Sequence, residues 1–217
     1  MATPSVPERD APPRMSPAAY VAFELASPAC HEYHDGRVYA MAGASRAHNR
    51  IAGNIYARLL RAAGRGPCRE SIEGVRLVLG TARQYYPDVM VACGPPPDDP
   101  YVETDPCLVV EVLSPSTERL DVGQKVPRYQ AAPSVEGVVM VRQDMRVVEV
   151  RRRAEPGGPF LVDYVIGQGT VEFPCPGAPN GVVAMTLDEV YERAEPLPGS
   201  EIAGSEIAGS EPHPGAR

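Results

Sequence analysis

Two acidic side chains interrupt short apolar runs that otherwise have the composition of buried strands. Asp88 stands at the entrance of the run Val89–Cys93, and Glu111 lies inside the run Leu108–Leu113. Valine-rich runs of this length, bounded by turn residues, are typical of strands in a sheet core. An ionised carboxylate in an apolar layer is costly unless a cation, a metal or several hydrogen-bond donors meet it. A divalent cation shared between the two carboxylates would satisfy both.

A single lysine follows this pair of acids. Lys125 is the only lysine in a chain that has twenty arginines, and its ammonium is a compact charge with a tunable pKa, unlike guanidinium. The start signal at Ser114–Thr117 predicts a helix from about 118 to 132. Asp121, Lys125 and Tyr129 then share one helix face at i+4 spacing. Lys125 could therefore stand beside the shared cation, although a solvated Asp–Lys helix pair would have the same spacing.

The order of these residues resembles a known group of enzymes. Pro87-Asp88, then Glu111-Val112-Leu113, then a displaced Lys125 resemble the PD-(D/E)xK nuclease superfamily, and specifically its Uma2 family (DUF820) of restriction-endonuclease-like proteins. The motif PD…ExK alone is weak, but an ordered set of further segments makes the resemblance more specific. These segments are His31–Met41, Ser45–Asn54, Glu73–Val75 and Asp121–Tyr129, and the resemblance covers roughly Ser16 to Tyr191.

The resemblance implies an α/β fold with a mixed α+β sheet, namely a restriction-endonuclease-like core with flanking helices and extra β-hairpins. It also implies a metal-dependent endonuclease that hydrolyses phosphodiester bonds, with DNA as the expected substrate. Asp88 and Glu111 would bind Mg²⁺, for which Mn²⁺ could substitute, together with the backbone carbonyl of Val112. Lys125 would assist the attacking water.

The chain departs from the superfamily pattern at two places. The usual lysine lies two residues after the acid, where this chain has Leu113. The helix predicted over Ser45–Ala63 contains no acid, although a helix glutamate joins the metal site in many relatives. Four residues are therefore candidates for supporting roles: Glu73 as an auxiliary acid, His48 as a phosphate contact or a structural histidine, Asp121 as a group that fixes Lys125, and Tyr129 as a substrate contact.

Two other functions remain open from the sequence. The broken ExK motif, the missing helix acid and the net charge of −7 favour an inactive nuclease-like fold that binds nucleic acid or protein. A purely structural Asp–Glu–Lys network is the third alternative. Nucleic-acid binding usually requires a basic surface. The arginines concentrate in two groups, which could equally be solvated faces: Arg46, Arg50, Arg58, Arg61, Arg65 and Arg69, and Arg142, Arg146, Arg151, Arg152 and Arg153.

Chain length and composition predict one globular domain between two tails. We expect a disordered tail over 1–15, the nuclease-like domain over 16–194, and a low-complexity tail over 195–217 that repeats Gly-Ser-Glu-Ile-Ala. The five cysteines are widely spaced and odd in number, which favours reduced thiols and a cytoplasmic protein. No signal peptide or membrane-spanning run is evident in the sequence. A homodimer would suit the cutting of two strands.

Hydrophobic periodicity and turn residues predict the remaining elements. They are a helix from Ser16 to about Leu25, a hairpin over His31–Met41, a helix over Ser45–Ala63, a first core strand over Arg69–Leu79, a strand pair over Val135–Val141 and Val147–Arg152, a hairpin over Phe160–Ile166 and Gly169–Phe173, and a last short helix over Thr186–Arg193.

Overall fold

A computed structural model describes residues 13–41, 43–63, 66–114, 118 and 121–195. Nearly all of both predicted tails, and the start signal at 115–117, lie outside these residues. None of the described helices is long and apolar enough to span a membrane.

Four α-helices and thirteen strands make up the described part of the chain. The helices are α1 (Pro17–Ala26), α2 (Arg46–Ala63), α3 (Val126–Ala131) and α4 (Leu187–Val190), with a π-helical turn at Asp121–Lys125 and a 3-10 turn at Pro179–Gly181. The strands are β1 (His31–His34), β2 (Arg37–Ala40), β3 (Arg69–Ile72), β4 (Arg76–Val78), β5 (Arg83–Tyr85), β6 (Val89–Ala92), β7 (Val102–Glu103), β8 (Pro106–Leu113), β9 (Gly137–Arg142), β10 (Val147–Arg153), β11 (Phe160–Ile166), β12 (Thr170–Pro174) and β13 (Val182–Thr186).

A six-stranded mixed sheet in the order β11-β10-β9-β8-β6-β3 forms the centre of the domain. Strand β8 is buried along its whole length, parallel to β9 and antiparallel to β6. One face of β8 packs against α2 through Leu108 and Val110, and the other packs against α3 through Val109 and Leu113. Because side chains alternate along a strand, Glu111 lies on the α3 face. The predicted mixed α+β architecture is confirmed.

The helix α2 covers one face of this sheet for the reason that its sequence predicts. Ile51, Ile55 and Leu59 form a stripe at helical spacing, and all three are fully buried. The hydroxyl of Ser45 accepts a hydrogen bond from the backbone N–H of His48 at 3.0 Å, which caps the first turn. This cap holds His48 at the end of the helix that faces the acids.

A second sheet, of five strands in the order β2-β1-β5-β4-β7, packs beside the first. Its β1–β2 hairpin turns at Asp35 and Gly36, which both have positive φ, as predicted for His31–Met41. The helix α1 docks on this sheet through stacking of Tyr20 on Tyr33. The hairpin thereby brings β1, and with it Glu32, within 2.7 Å of Lys125.

The strand predicted over Arg69–Leu79 is wrong, because the chain breaks in its middle. Glu73 and Gly74 both have positive φ, and they end β3 in the six-stranded sheet and start β4 in the five-stranded sheet. Gly74 adopts this conformation without a steric penalty, whereas a glutamate rarely does. The chain thus passes from one sheet to the other beside Asp88, whose carbonyl accepts the N–H of Glu73 at 3.0 Å.

The hairpin predicted from Phe160–Ile166 and Gly169–Phe173 is also wrong. Strand β11 pairs with β10 as the edge of the central sheet, while β12 pairs with β13 in a separate two-stranded sheet. Glycines at 167 and 169, both with positive φ, turn the chain away between the two strands. The other two predictions in this region hold, since β9 and β10 pair antiparallel and Thr186 caps α4.

The expectation of five reduced thiols is contradicted by a disulfide. Cys68 and Cys93 flank the antiparallel strands β3 and β6, and their sulfurs are bonded. Cys30, Cys107 and Cys175 remain free thiols. The sequence spacing of 25 residues gave no indication of this pairing, because only the strand register makes the two cysteines neighbours.

The disulfide generates a prediction about the glycine that lies on it. A Cβ added at Gly177 would clash with Sγ of Cys68 and lie 3.3 Å from Sγ of Cys93, so Gly177→Ala must displace the loop or the bridge. We expect a loss of about 1–3 kcal/mol in the free energy of unfolding, measured by denaturant titration. Gly94→Ala is the control, since a Cβ there meets nothing within 4 Å. Equal stability of the two variants would contradict this close packing.

Candidate active site

The ammonium of Lys125 lies in the interior, surrounded by carboxylates. Its Nζ is 2.7 Å from Oε1 of Glu32, 2.9 Å from Oδ1 of Asp121 and 3.5 Å from Oε1 of Glu111. The lysine is only 5% exposed. Burial lowers the pKa of Lys125, but the charges of Glu111, Glu32 and Asp121 outweigh burial and raise it well above its usual value. The ammonium therefore stays charged and compensates the acids around it.

The π-helical turn at Asp121–Lys125 and the helix α3 place the three predicted helix residues around Glu111. Asp121 and Lys125 form an i,i+4 ion pair, and one turn later the hydroxyl of Tyr129 donates to Oε1 of Glu111 at 2.6 Å. All three side chains are buried. The predicted face at i+4 spacing thus points inward to β8. A solvated Asp–Lys pair, the alternative raised by the sequence, does not describe this geometry.

The pKa of Glu111 is raised by its surroundings. Its own burial raises its pKa well above the usual value, and the charges of Asp121, Asp88 and Glu32 raise it further against the opposing effect of Lys125. Negative charge is therefore in excess at this point of the sheet. An added cation would relieve that excess.

Glu32 belongs to the same cluster and was missed by the sequence reasoning. Besides its contact with Lys125, it accepts the backbone N–H of Tyr86 at 3.3 Å, and Nε2 of His34 lies 3.5 Å away. Burial raises the pKa of Glu32, but Lys125 and His34 outweigh burial and lower it. The one available signal was an acid alternating with His34 along a short strand within a segment that resembles the family.

Asp88 lies nearer the surface, with 14% of its side chain exposed. Its Oδ2 accepts the backbone N–H of Val112 at 2.6 Å and lies 3.3 Å from Nε2 of His48. The peptide of Val112 therefore adjoins Asp88 directly. Asp88 and Glu111 come from adjacent antiparallel strands, and the charge of Asp88 acts on the carboxyl of Glu111. The structure thus brings the two acids predicted from sequence to one place.

His48 and Glu73 flank Asp88. Burial lowers the pKa of His48, but the hydrogen bond and charge of Asp88, with the charges of Glu73 and Asp121, outweigh burial and raise it. The Nδ1 atom of His48 is buried without a hydrogen-bond partner among the described residues. Glu73 is exposed in the turn between β3 and β4. Both candidates therefore lie at the open side of the cluster, while Lys125 and Tyr129 lie at its closed side.

The arginines of the group Arg142–Arg153 are occupied by partners of their own. Arg142 pairs with Glu118 and Asp144, and Arg151 pairs with Glu149. Arg153 donates to four backbone carbonyls, of Gln130, Ala132, Val135 and Gly158. This group therefore stabilises the sheet and its loops. In the group on α2, Arg46 pairs with Glu195 on a well-exposed surface.

The cluster offers the oxygen ligands and the negative charge that a hard divalent cation requires. Its ionisable groups are mainly carboxylates, whose oxygens are the ligands that Mg²⁺ prefers, and a second positive charge would balance the acids that Lys125 leaves in excess. Among the described residues, however, no three His, Cys, Asp or Glu side chains are disposed to hold a metal ion together. An ion between Asp88 and Glu111 would therefore keep most of its water, as Mg²⁺ does in proteins.

Comparison with known proteins identifies the family to which this chain belongs. The model of the Uma2 family, described as "Putative restriction endonuclease", matches residues 17–184. The chain belongs to the Uma2 family. The resemblance inferred from the ordered motifs is therefore confirmed.

Relatives of this Uma2 chain occur in Synechocystis sp. (strain ATCC 27184 / PCC 6803 / Kazusa). The uncharacterised protein slr1290 is 31% identical over 154 residues, which cover 70% of this chain and 81% of slr1290. The uncharacterised protein sll1609 is 29% identical over 163 residues, which cover 73% and 92% of the two chains.

A solved structure shares the fold of this Uma2 chain. It is the crystal structure of a "putative nuclease belonging to DUF820" from Anabaena variabilis ATCC 29413, with a TM-score of 0.66 and 15% sequence identity. The match covers 82% of this chain and 97% of the other. The predicted nuclease-like fold is confirmed.

The buried cluster predicts a large cost for removing its ammonium. Lys125→Met leaves Glu32, Asp121 and Glu111 without their shared cation, so we expect a loss of about 3–5 kcal/mol in the free energy of unfolding, measured by denaturant titration. Gln124→Met is the matched control, because Gln124 is exposed in the same turn. If both variants unfold at the same denaturant concentration, Lys125 does not hold the three acids together.

Proposed function

We propose that this Uma2 protein is a metal-dependent endonuclease that hydrolyses phosphodiester bonds of DNA. The observation that carries the proposal is the convergence of Asp88, Glu111 and Lys125, which are far apart in sequence, at one end of the central sheet. Paired carboxylates with an adjacent lysine are what the PD-(D/E)xK resemblance requires of an active site. Membership of a family described as restriction endonucleases supports the same reaction class.

Asp88 and Glu111 would hold Mg²⁺, with the backbone carbonyl of Val112 as a further ligand. The described contacts on Asp88 fall on Oδ2, where the N–H of Val112 and Nε2 of His48 fix the orientation of the carboxylate. Tyr129 and Lys125 fix Glu111 in the same way through Oε1. When bound, the metal supplies positive charge that polarises a phosphate and lowers the pKa of a water ligand.

The other residues would position the reactants. Lys125 keeps Glu111 ionisable in a buried site and would help to orient the attacking water, although it follows the superfamily position, Leu113, by twelve residues. Glu32 would take the place of the missing helix acid as a partner of Lys125, which suggests that the auxiliary acid comes from β1. Glu73 at the open side is the other candidate for that role. His48, at the open side of the cluster, is the candidate for a phosphate contact.

A second function is favoured by the enclosure of Lys125. Its ammonium contacts three carboxylates and is 5% exposed, so a protein that only binds nucleic acid or another protein could keep the cluster as a structural ion-pair network. The acidic net charge of −7 agrees with such a binding module. Measurements of metal binding and of DNA cleavage distinguish the endonuclease from the binding module.

Two copies of the chain would be needed to cut both strands of a duplex at one position, and a homodimer stays a prediction.

Cleavage tests the first function. We expect the purified protein with Mg²⁺ or Mn²⁺ to nick supercoiled plasmid DNA, and Asp88→Asn or Glu111→Gln to reduce the rate by about a hundredfold or more, because each change removes a carboxylate that would hold the metal. Asp163→Asn, an exposed acid on β11, should retain full activity. Full activity of the Asp88 and Glu111 variants would exclude this site as the catalyst.

Metal binding without DNA gives an independent measurement. We expect Mg²⁺ to raise the melting temperature of the wild type, by an amount equivalent to about 2.7 kcal/mol at a hundredfold excess over its Kd, and to leave that of Asp88→Asn unchanged. The gain should arise because the ion relieves repulsion among the acids. An unchanged melting temperature in the wild type would favour the binding module over the endonuclease.

A further inference from the structure

Three sulfur atoms lie together at the end of the central sheet that is opposite the acids. Cys93 follows β6, whereas Asp88 precedes it. The Sγ of Cys93 is bonded to that of Cys68 and lies 3.4 Å from that of Cys107, near the start of β8. One sulfur thus has a bonded partner on one side and a free thiol in contact on the other.

We propose that Cys93 is a thiol–disulfide exchange centre that bonds either to Cys68 or to Cys107. Exchange requires a thiolate next to a sulfur of the disulfide. The contact between Cys107 and Cys93, at 3.4 Å, places the two sulfurs next to each other within the folded protein, so that loss of the Cys107 proton completes the requirement. The proposal concerns the sulfur cluster alone and does not depend on nuclease activity.

The exchange is balanced within the chain. After losing its proton, Cys107 attacks Sγ of Cys93 and forms the new S–S bond with its electron pair. The bond between Cys93 and Cys68 breaks, and its electron pair leaves with Cys68 as a thiolate, which takes up a proton. One disulfide and one thiol are present before and after, so the step needs no oxidant or reductant.

The environment of Cys107 keeps this exchange slow at neutral pH. Burial raises the pKa of Cys107 to about 12, and the neighbouring Cys175 and the carboxylate of Glu136 also raise it. Its thiol instead donates a weak hydrogen bond to the carbonyl of Val91 at 3.3 Å. The native bond from Cys68 to Cys93 therefore persists, and exchange accelerates as pH rises because the thiolate is the nucleophile.

The two disulfide forms, Cys68–Cys93 and Cys93–Cys107, cross-link different strands. The native bond ties β3, at the edge of the sheet, to β6, whereas the alternative bond ties β6 to β8 at the centre. Cys68 is half-buried, so exchange replaces a buried thiol with an accessible one. External thiols or disulfides of low molecular weight would then react at Cys68, and exchange would link that reaction to the Cys93–Cys107 pair in the sheet interior.

Alkylation trapping in the folded wild type tests the exchange. We expect incubation with iodoacetamide at about pH 9, where more of Cys107 is thiolate, to accumulate a product with alkylated Cys68 and a Cys93–Cys107 disulfide, identified by peptide mapping. Cys107→Ser should leave Cys68 unalkylated under the same conditions. Cys30→Ser is the control, because it removes the exposed free thiol and should not alter trapping. Circular dichroism during incubation verifies that the protein stays folded.

A second variant reaches the alternative bond by another route. In Cys68→Ser, glutathione disulfide should first form a mixed disulfide with Cys93, which Cys107 then resolves to Cys93–Cys107 with release of glutathione. Cys68→Ser with Cys107→Ser should retain glutathione on Cys93. Wild-type Cys68 that is never alkylated, together with retained glutathione in the single variant, would overturn the proposal. The proposal would also be overturned if the purified wild type contained reduced cysteines that bind one zinc ion per chain.

Discussion

The burial of one ammonium among three carboxylates constrains the rest of this structure. Each of these ions would be costly in the interior alone, and the short distances from the ammonium to the carboxylates offset that cost. Glu32 comes from one sheet, Glu111 from another, and Asp121 from the turn that leads into α3. Lys125 therefore joins three separately formed parts of the fold. The tight β1–β2 hairpin and the π-helical turn both serve to bring those parts within reach.

The sequence predicted the central features of the site because they depend on local pattern. The alternation in β8 assigns Glu111 to the face that α3 covers, and the i+4 spacing places Asp121, Lys125 and Tyr129 on one side of a helix. Family resemblance then indicated that Asp88 lies near Glu111. Each of these inferences needs only the period of a strand or a helix and the order of motifs along the chain.

Other features depend on register and tertiary packing, which periodicity does not contain. Glu32 could not be assigned because nothing local shows that the β1–β2 hairpin approaches Lys125. The break at Glu73 required a glutamate with positive φ, against its usual preference. Cys68 and Cys93 become partners only when β3 and β6 pair in one register. The pairing partners of β11 and β12 likewise depend on the sheet that each strand joins, and not on the short turn between the two strands.

The passage of the chain from β3 to β4 beside Asp88 has a consequence for how the domain assembles. One continuous segment supplies strands to both sheets at the point where the acids meet, so the geometry there depends on the pairing of both sheets. The acidic centre needs both sheets, since Glu32 lies in one and Glu111 in the other. A chain in which only one of the two sheets has formed would therefore lack the complete acidic centre.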